Sequence, residues 1–103
     1  MTPVYAQLIE GGTTPDKRIE MDRIVTDEML PALDAEPGFS GALNVVDRAS
    51  GDAMMLVLWE TEAQARRALP EYGGGFLKAL AAIAAISTGT RRPISVWEVN
   101  ARV

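Results

Sequence analysis

The sequence predicts an α+β domain built on a four-stranded antiparallel sheet, and three observations carry that prediction. Turn-forming residues divide the chain into segments in the order β-α-β-β-α-α-β. Two strand-like segments, Phe39 to Asp47 and Ala53 to Glu60, are joined by the short turn Ala49-Ser50-Gly51-Asp52, which makes them an antiparallel hairpin. The strand-like segments are also apolar on both faces, whereas an antiparallel sheet with one wet face alternates apolar and polar residues.

The first strand runs from Val4 to Ile9 and is expected to end at Gly11-Gly12. Thr14-Pro15-Asp16 reads as a helix start, with Thr14 as N-cap, proline at the first helical position and an acid in the first turn. Met21, Ile24, Val25, Met29 and Leu33 then fall near helical spacing. The charges between Asp16 and Asp22 read as the solvated side of that helix. Pro31 removes a backbone donor and is expected to loosen the last turn, and Pro37-Gly38 ends the segment. After the hairpin, Thr61 with Gln64 three residues later matches a capping box and opens a second helix. Pro70 and Gly73-Gly74-Gly75 break it. A third helix, alanine-rich, spans Phe76 to Ile86 and is expected to close at Gly89. Ile94 to Asn100 is the last strand. This split βαβ order is the ferredoxin-like arrangement, one sheet with its helices on one face.

With 103 residues, the chain has room for a single domain, residues 1–103. Its 48% hydrophobic and 23% charged residues are an ordinary globular balance. A net charge of −4 speaks against a nucleic-acid partner, because such proteins carry a basic stripe. Here the arginine pairs Arg66-Arg67 and Arg91-Arg92 stand isolated. The sequence holds no cysteine and no histidine. Disulfides, thiolate nucleophiles, Cys/His zinc sites and histidine-ligated haem are therefore excluded, as is the commonest general base at neutral pH. No loop has the acidic spacing of an EF-hand, so neither a metal nor a cofactor is expected. The longest apolar stretch, Leu80 to Ile86, is too short to span a membrane. No basic region followed by an apolar run stands at the N-terminus, so a cytoplasmic location is expected.

In the third strand Met54, Leu56 and Leu58 occupy one face and Met55, Val57 and Trp59 the other. The first strand sets Val4, Ala6 and Leu8 against Tyr5 and Ile9, and the last sets Ile94 and Val96 against Trp97 and Val99. Helices in this topology shelter one face. The other would leave an apolar patch of several hundred Å², more than monomers usually expose. A homodimer through the open sheet face is the expected remedy; the alternative is a monomer whose extra helix folds over that face.

The run Pro37-Gly38-Phe39-Ser40-Gly41-Ala42, then Asp47-Arg48, then Leu58-Trp59-Glu60-Thr61-Glu62 resembles the antibiotic biosynthesis monooxygenase (ABM) domain of the dimeric α/β-barrel superfamily. The motif-level match is confined to about residues 37 to 65, while the order of elements covers most of the chain. The resemblance implies a ferredoxin-like protomer, a homodimeric barrel and a pocket between sheet and helices. It also implies one of several activities, since some members are cofactor-independent monooxygenases of polycyclic phenols and others degrade haem. The family tryptophan matches Trp59. The asparagine that polyketide oxygenases carry four residues earlier is Met55 here, and a tyrosine six residues after the tryptophan is Ala65. The histidine ligand of the haem-degrading branch is absent.

On this basis the candidate catalytic residues are Trp59 and Asn44. Trp59 either walls a pocket and stacks on a planar substrate or is a large core residue. Asn44 either orients a ligand or bonds across a dimer axis, because a buried amide needs partners. Tyr5 and Gln7 share a strand face and could hydrogen-bond a ligand or a neighbouring strand. Tyr72, next to three glycines, belongs either to a gating loop or to a plain connector. Met55, Val57 and Phe76 complete the expected substrate lining. Two functions stay open: a cofactor-independent monooxygenase acting on a small aromatic or phenolic substrate, and a non-catalytic dimer that binds a small apolar ligand or serves as a structural module.

Overall fold

The computed structural model of the protein describes residues 4–88 and 93–103. Strand β1 (Tyr5–Gly12) leads through a short 3-10 turn, Pro15–Lys17, to α1 (Arg18–Ile24). A π-helical stretch, Val25–Met29, joins α1 to α2 (Leu30–Asp34). The hairpin β2 (Phe39–Val46) and β3 (Asp52–Trp59) follows, then α3 (Glu62–Ala65), α4 (Gly74–Ile86) and β4 (Ser95–Glu98). The sheet order is β2-β3-β1-β4, and every neighbouring pair is antiparallel. The predicted fold class is the observed one.

Local chemistry explains most element boundaries. Thr61 Oγ1 accepts from the Gln64 backbone N–H while Gln64 Oε1 accepts from the Thr61 N–H, both at 3.2 Å, the capping box read from the sequence. That helix is shorter than expected, one turn before Pro70. Pro31 lacks the N–H that would reach Asp27, and the irregularity appears in the turn that contains Asp27 as the π-helical stretch, one turn earlier than expected. The first strand ends at the expected glycines but includes them, three residues beyond Ile9. Gly11 and Gly12 pair with Ala53 and Asp52, and a Cβ on Gly12 would lie 2.8 Å from the Gly51 carbonyl oxygen. Gly12 there allows close backbone approach. Helix α4 starts two residues before Phe76; its expected stop at Gly89, like Arg91 and Arg92, lies outside the described residues.

Strand register assigns the faces. Tyr5, Gln7 and Ile9 stand opposite Trp59, Val57 and Met55, and Ala42 and Asn44 opposite Val57 and Met55, all on the face the helices cover. The core there joins Met55, Val57 and Trp59 to Met21, Val25, Met29, Leu33 and Phe76. The opposite face carries no helix. On it Leu43 is 63% exposed, Trp97 62%, Val45 48% and Met54 41%, with Leu8, Leu56 and Leu58 half-buried among them. Among the described residues no helix folds over this face, and no helix is long and apolar enough to cross a membrane.

Candidate functional site

The covered side of the sheet is packed at one end and hollow at the other. Trp59, fully buried at the end of β3, organises the packed end. Its ring meets Phe39 edge-on at 6.1 Å and Tyr72 edge-on at 5.9 Å, and Tyr72 stacks on Phe76 at 4.4 Å. The Arg67 guanidinium lies over Tyr72 at 4.1 Å and Trp59 at 5.2 Å, a cation–π contact on both rings, and pairs with Glu36 at 3.4 Å. The Trp59 indole N–H donates to Gln7 Oε1 at 3.1 Å, and Gln7 Nε2 donates to the Tyr72 hydroxyl at 3.4 Å. Trp59, Gln7 and Tyr72 thus satisfy one another inside the core, as buried polar groups must, while Nε and Nη2 of Arg67 are buried without a hydrogen-bond partner. Tyr5, beside Trp59 on β1, has its phenol pushed above the usual value by burial first, then by the Glu98 and Glu62 carboxylates.

At the other end, where β1 finishes and β3 begins, a cavity of about 310 Å³ opens between sheet and helices. That is the lower end of the range for small-molecule sites. Met55 and Asn44, direct cross-strand partners, form its sheet wall. Met21, Val25, Met29 and Leu33 line the α1–α2 side, and Phe76, Leu80 and Ile83 of α4 the third side. Thr13 Oγ1 donates to the Ile86 carbonyl, and the Thr88 N–H donates to the Gly12 carbonyl at 2.9 Å; these bonds tie the end of β1 to the end of α4. Ser87 and Thr88 also line the cavity, as does Glu10 at the strand end. Asn44 Nδ2 donates to the Met54 carbonyl at 3.2 Å, which holds the amide against the sheet.

Glu10, Ser87, Thr88 and Arg18 are polar lining residues that sequence reasoning missed, and Arg18 is the one on the α1 side. It was expected on a solvated helix face, yet it is 5% exposed and lines the cavity. Its spacing of three and seven residues from Met21 and Val25 puts it on the apolar stripe of the helix, and that was the available signal. Arg18 Nε donates to Asp22 Oδ1 at 2.9 Å, while Arg48 Nη1 donates to Asp22 Oδ2 at 3.0 Å. Burial raises the Asp22 carboxyl, but the bonds from Arg48 and Arg18 outweigh it and leave the group below its usual value. The Nη1 and Nη2 atoms of Arg18 are buried without a hydrogen-bond partner.

The structure thus brings Asn44, Met55 and Phe76 together around the cavity. Trp59, Gln7 and Tyr72 form a separate buried network, and Tyr5 and Val57 pack with it on the same sheet face without lining the cavity. Among the described residues no group of three or more acidic side chains is placed to hold a metal ion.

No protein-family model matches the sequence, and no curated protein matches it. Solved structures do match. A Nitrosomonas europaea protein named provisionally as an antibiotic biosynthesis monooxygenase superposes with a TM-score of 0.77 at 11% identity, over 97% of this chain and 93% of its own. SnoaB, a cofactor-independent oxygenase from Streptomyces nogalater, gives 0.67 at 19% identity over 97% and 94%. A second Nitrosomonas europaea protein, of unknown function, gives 0.74 at 19% over 99% and 94%. At such identities the likeness is one of fold. The chain has a ferredoxin-like α+β fold that it shares with these structures, the provisionally named antibiotic biosynthesis monooxygenase from Nitrosomonas europaea among them.

Proposed function

We propose that the protein is a cofactor-independent monooxygenase that holds a small phenolic or related aromatic substrate in the cavity between sheet and helices. The apolar cavity itself, with Asn44 and Arg18 in its wall, is the observation that carries this reading. Likeness of fold to SnoaB supports the reaction class. In such chemistry the substrate provides the electrons. An activated ring CH₂ reacts with O₂, one oxygen atom becomes the ring carbonyl and the other leaves as water. The protein's part is to exclude bulk water, fix the ring and stabilise the substrate anion. Asn44 and Met55 orient the ring against the sheet, and Phe76 offers an aromatic surface. Trp59 and its Gln7–Tyr72 partners hold the strands that carry these groups. The working unit is a homodimer closed through the open sheet face, which buries Leu43, Val45, Met54 and Trp97.

The test is oxygen uptake by the purified protein with a panel of phenols, anthrones and naphthols, with no added metal or flavin. Uptake that slows in Met29→Phe, which fills part of the cavity, is the expected result. A second reading, a dimer that binds such a molecule without turning it over, is favoured by one observation. Met55 stands where the oxygenase pattern has an asparagine, and it offers no hydrogen bond to the substrate anion. Saturable binding with no uptake across the panel would establish that reading instead.

A further inference from the structure

A buried guanidinium is costly unless its donors are matched. Arg18 uses one donor, Nε, on Asp22 and leaves Nη1 and Nη2 buried without a partner. The carboxylate it uses is also shared, since Asp22 bonds Arg48 through its second oxygen. Asp22 thus divides its two oxygens between two guanidiniums and leaves the Nη1 and Nη2 donors of Arg18 unmatched. Of the three residues, Arg18 alone lines the cavity, whose remaining helical wall is apolar and whose strand end carries Glu10. An arginine whose only task was to hold Asp22 would serve equally well with its head in water, as Arg48 does.

We infer that Arg18 is an anion-recognition residue, and that the cavity takes an apolar ring system bearing an organic oxyanion, either a carboxylate or an ionised phenol. The planar guanidinium fork suits two oxygens on one group. The ring body lies against Met21, Val25 and Phe76, and the oxyanion completes the pairing that Asp22 begins. This rests on the cavity reading above and adds the charge of its occupant.

The test uses two probes of one shape, 2-naphthoate and neutral 2-naphthamide, titrated calorimetrically into the full chain. The expected result is that naphthoate binds about ten- to hundredfold more tightly, the range for hydrogen bonds to a charged group. Arg18→Met should bring the two probes level, and Arg18→Lys should restore part of the preference. Both variants need a native circular dichroism spectrum, but the wild-type comparison alone decides the matter if they do not fold. Equal affinity of the two probes for the wild type overturns the inference and leaves the cavity reading standing. Failure of both to bind removes the cavity reading and this inference with it. Naphthoate binding that persists in Met29→Phe places the anion elsewhere and also overturns it. A third probe separates the two oxyanions. 2-Naphthol that ionises at lower pH when bound supports a phenolate, and unshifted ionisation beside a naphthoate preference supports a carboxylate. None of these measurements needs turnover, so absent oxygen uptake leaves the inference intact.

Discussion

Replacing Trp59 by phenylalanine tests whether the packed end of the sheet anchors the fold. The substitution removes the indole N–H and leaves Gln7 Oε1 buried without its donor. Stranding a buried acceptor costs about 1–3 kcal/mol. A smaller ring in a site that is fully buried, with weaker contact to Arg67, adds on the order of 1 kcal/mol. The expected loss is therefore about 2–4 kcal/mol, a large share of the roughly 5–15 kcal/mol available to a domain of this kind. Urea unfolding at fixed protein concentration would show it as a midpoint lower by about 1–4 M, given a slope near 1–1.5 kcal/mol per M. Adding Gln7→Leu to Trp59→Phe removes the stranded acceptor, so the double variant should lose less than the sum of the singles. Ligand affinity should hold in every variant that remains folded, because Trp59 does not line the cavity. A Trp59→Phe midpoint within error of the wild type, or strictly additive losses, would refute the account of this network.

Other perturbations probe the remaining claims. Leu43→Glu with Val45→Glu places charge on the open sheet face, and sedimentation at micromolar concentration should then show an 11.1 kDa monomer, against the dimer expected of the wild type; a monomeric wild type would refute the proposed interface. Gly51 has φ +84°, and a Cβ there would collide with the Thr13 carbonyl oxygen, so Gly51→Ala should cost about 1–3 kcal/mol in thermal or urea melts. Asp22, its carboxyl lowered by Arg48 and Arg18, stabilises the fold above its unfolded value, near pH 4, and loses that contribution as pH falls through the lower folded value. Asp22→Asn should therefore be less stable than wild type at neutral pH and converge with it in acid; a gap that persists at pH 2 would count against the pairing.

The sheet was legible in the sequence because strand apolarity and turn residues are local signals. Thr61 and Gln64 announced a helix start from their spacing alone, and the short turn announced the antiparallel β2–β3 pairing. The end of β1 was legible in Gly11 and Gly12, but the close approach of Gly12 to the Gly51 carbonyl was hidden, because those residues are distant in sequence. The π-helical stretch was half visible. Pro31 marked a fault, but which turn absorbs it depends on packing against α4. The site divided in the same way. Met55 and Phe76 face the cavity as strand alternation and helix position allow, and Asn44, whose face the sequence left open between a ligand and a dimer axis, lines it too. Trp59 was drawn toward the site by resemblance, while its burial depends on Gln7, Tyr72 and Arg67, distant in sequence. Arg18 was passed over because a charge within a charged run reads as solvent-facing, although its spacing from Met21 and Val25 put it on the buried stripe.

The methionines that wall the cavity, Met21, Met29 and Met55, have a consequence for selectivity. Unbranched thioether chains rearrange at little energetic expense, so a wall made of them yields to the outline of whatever enters. Such a lining discriminates poorly between rings of similar bulk. Discrimination then falls to the few rigid polar positions at its margin, and guests would be sorted by the placement of their heteroatoms more than by their contour.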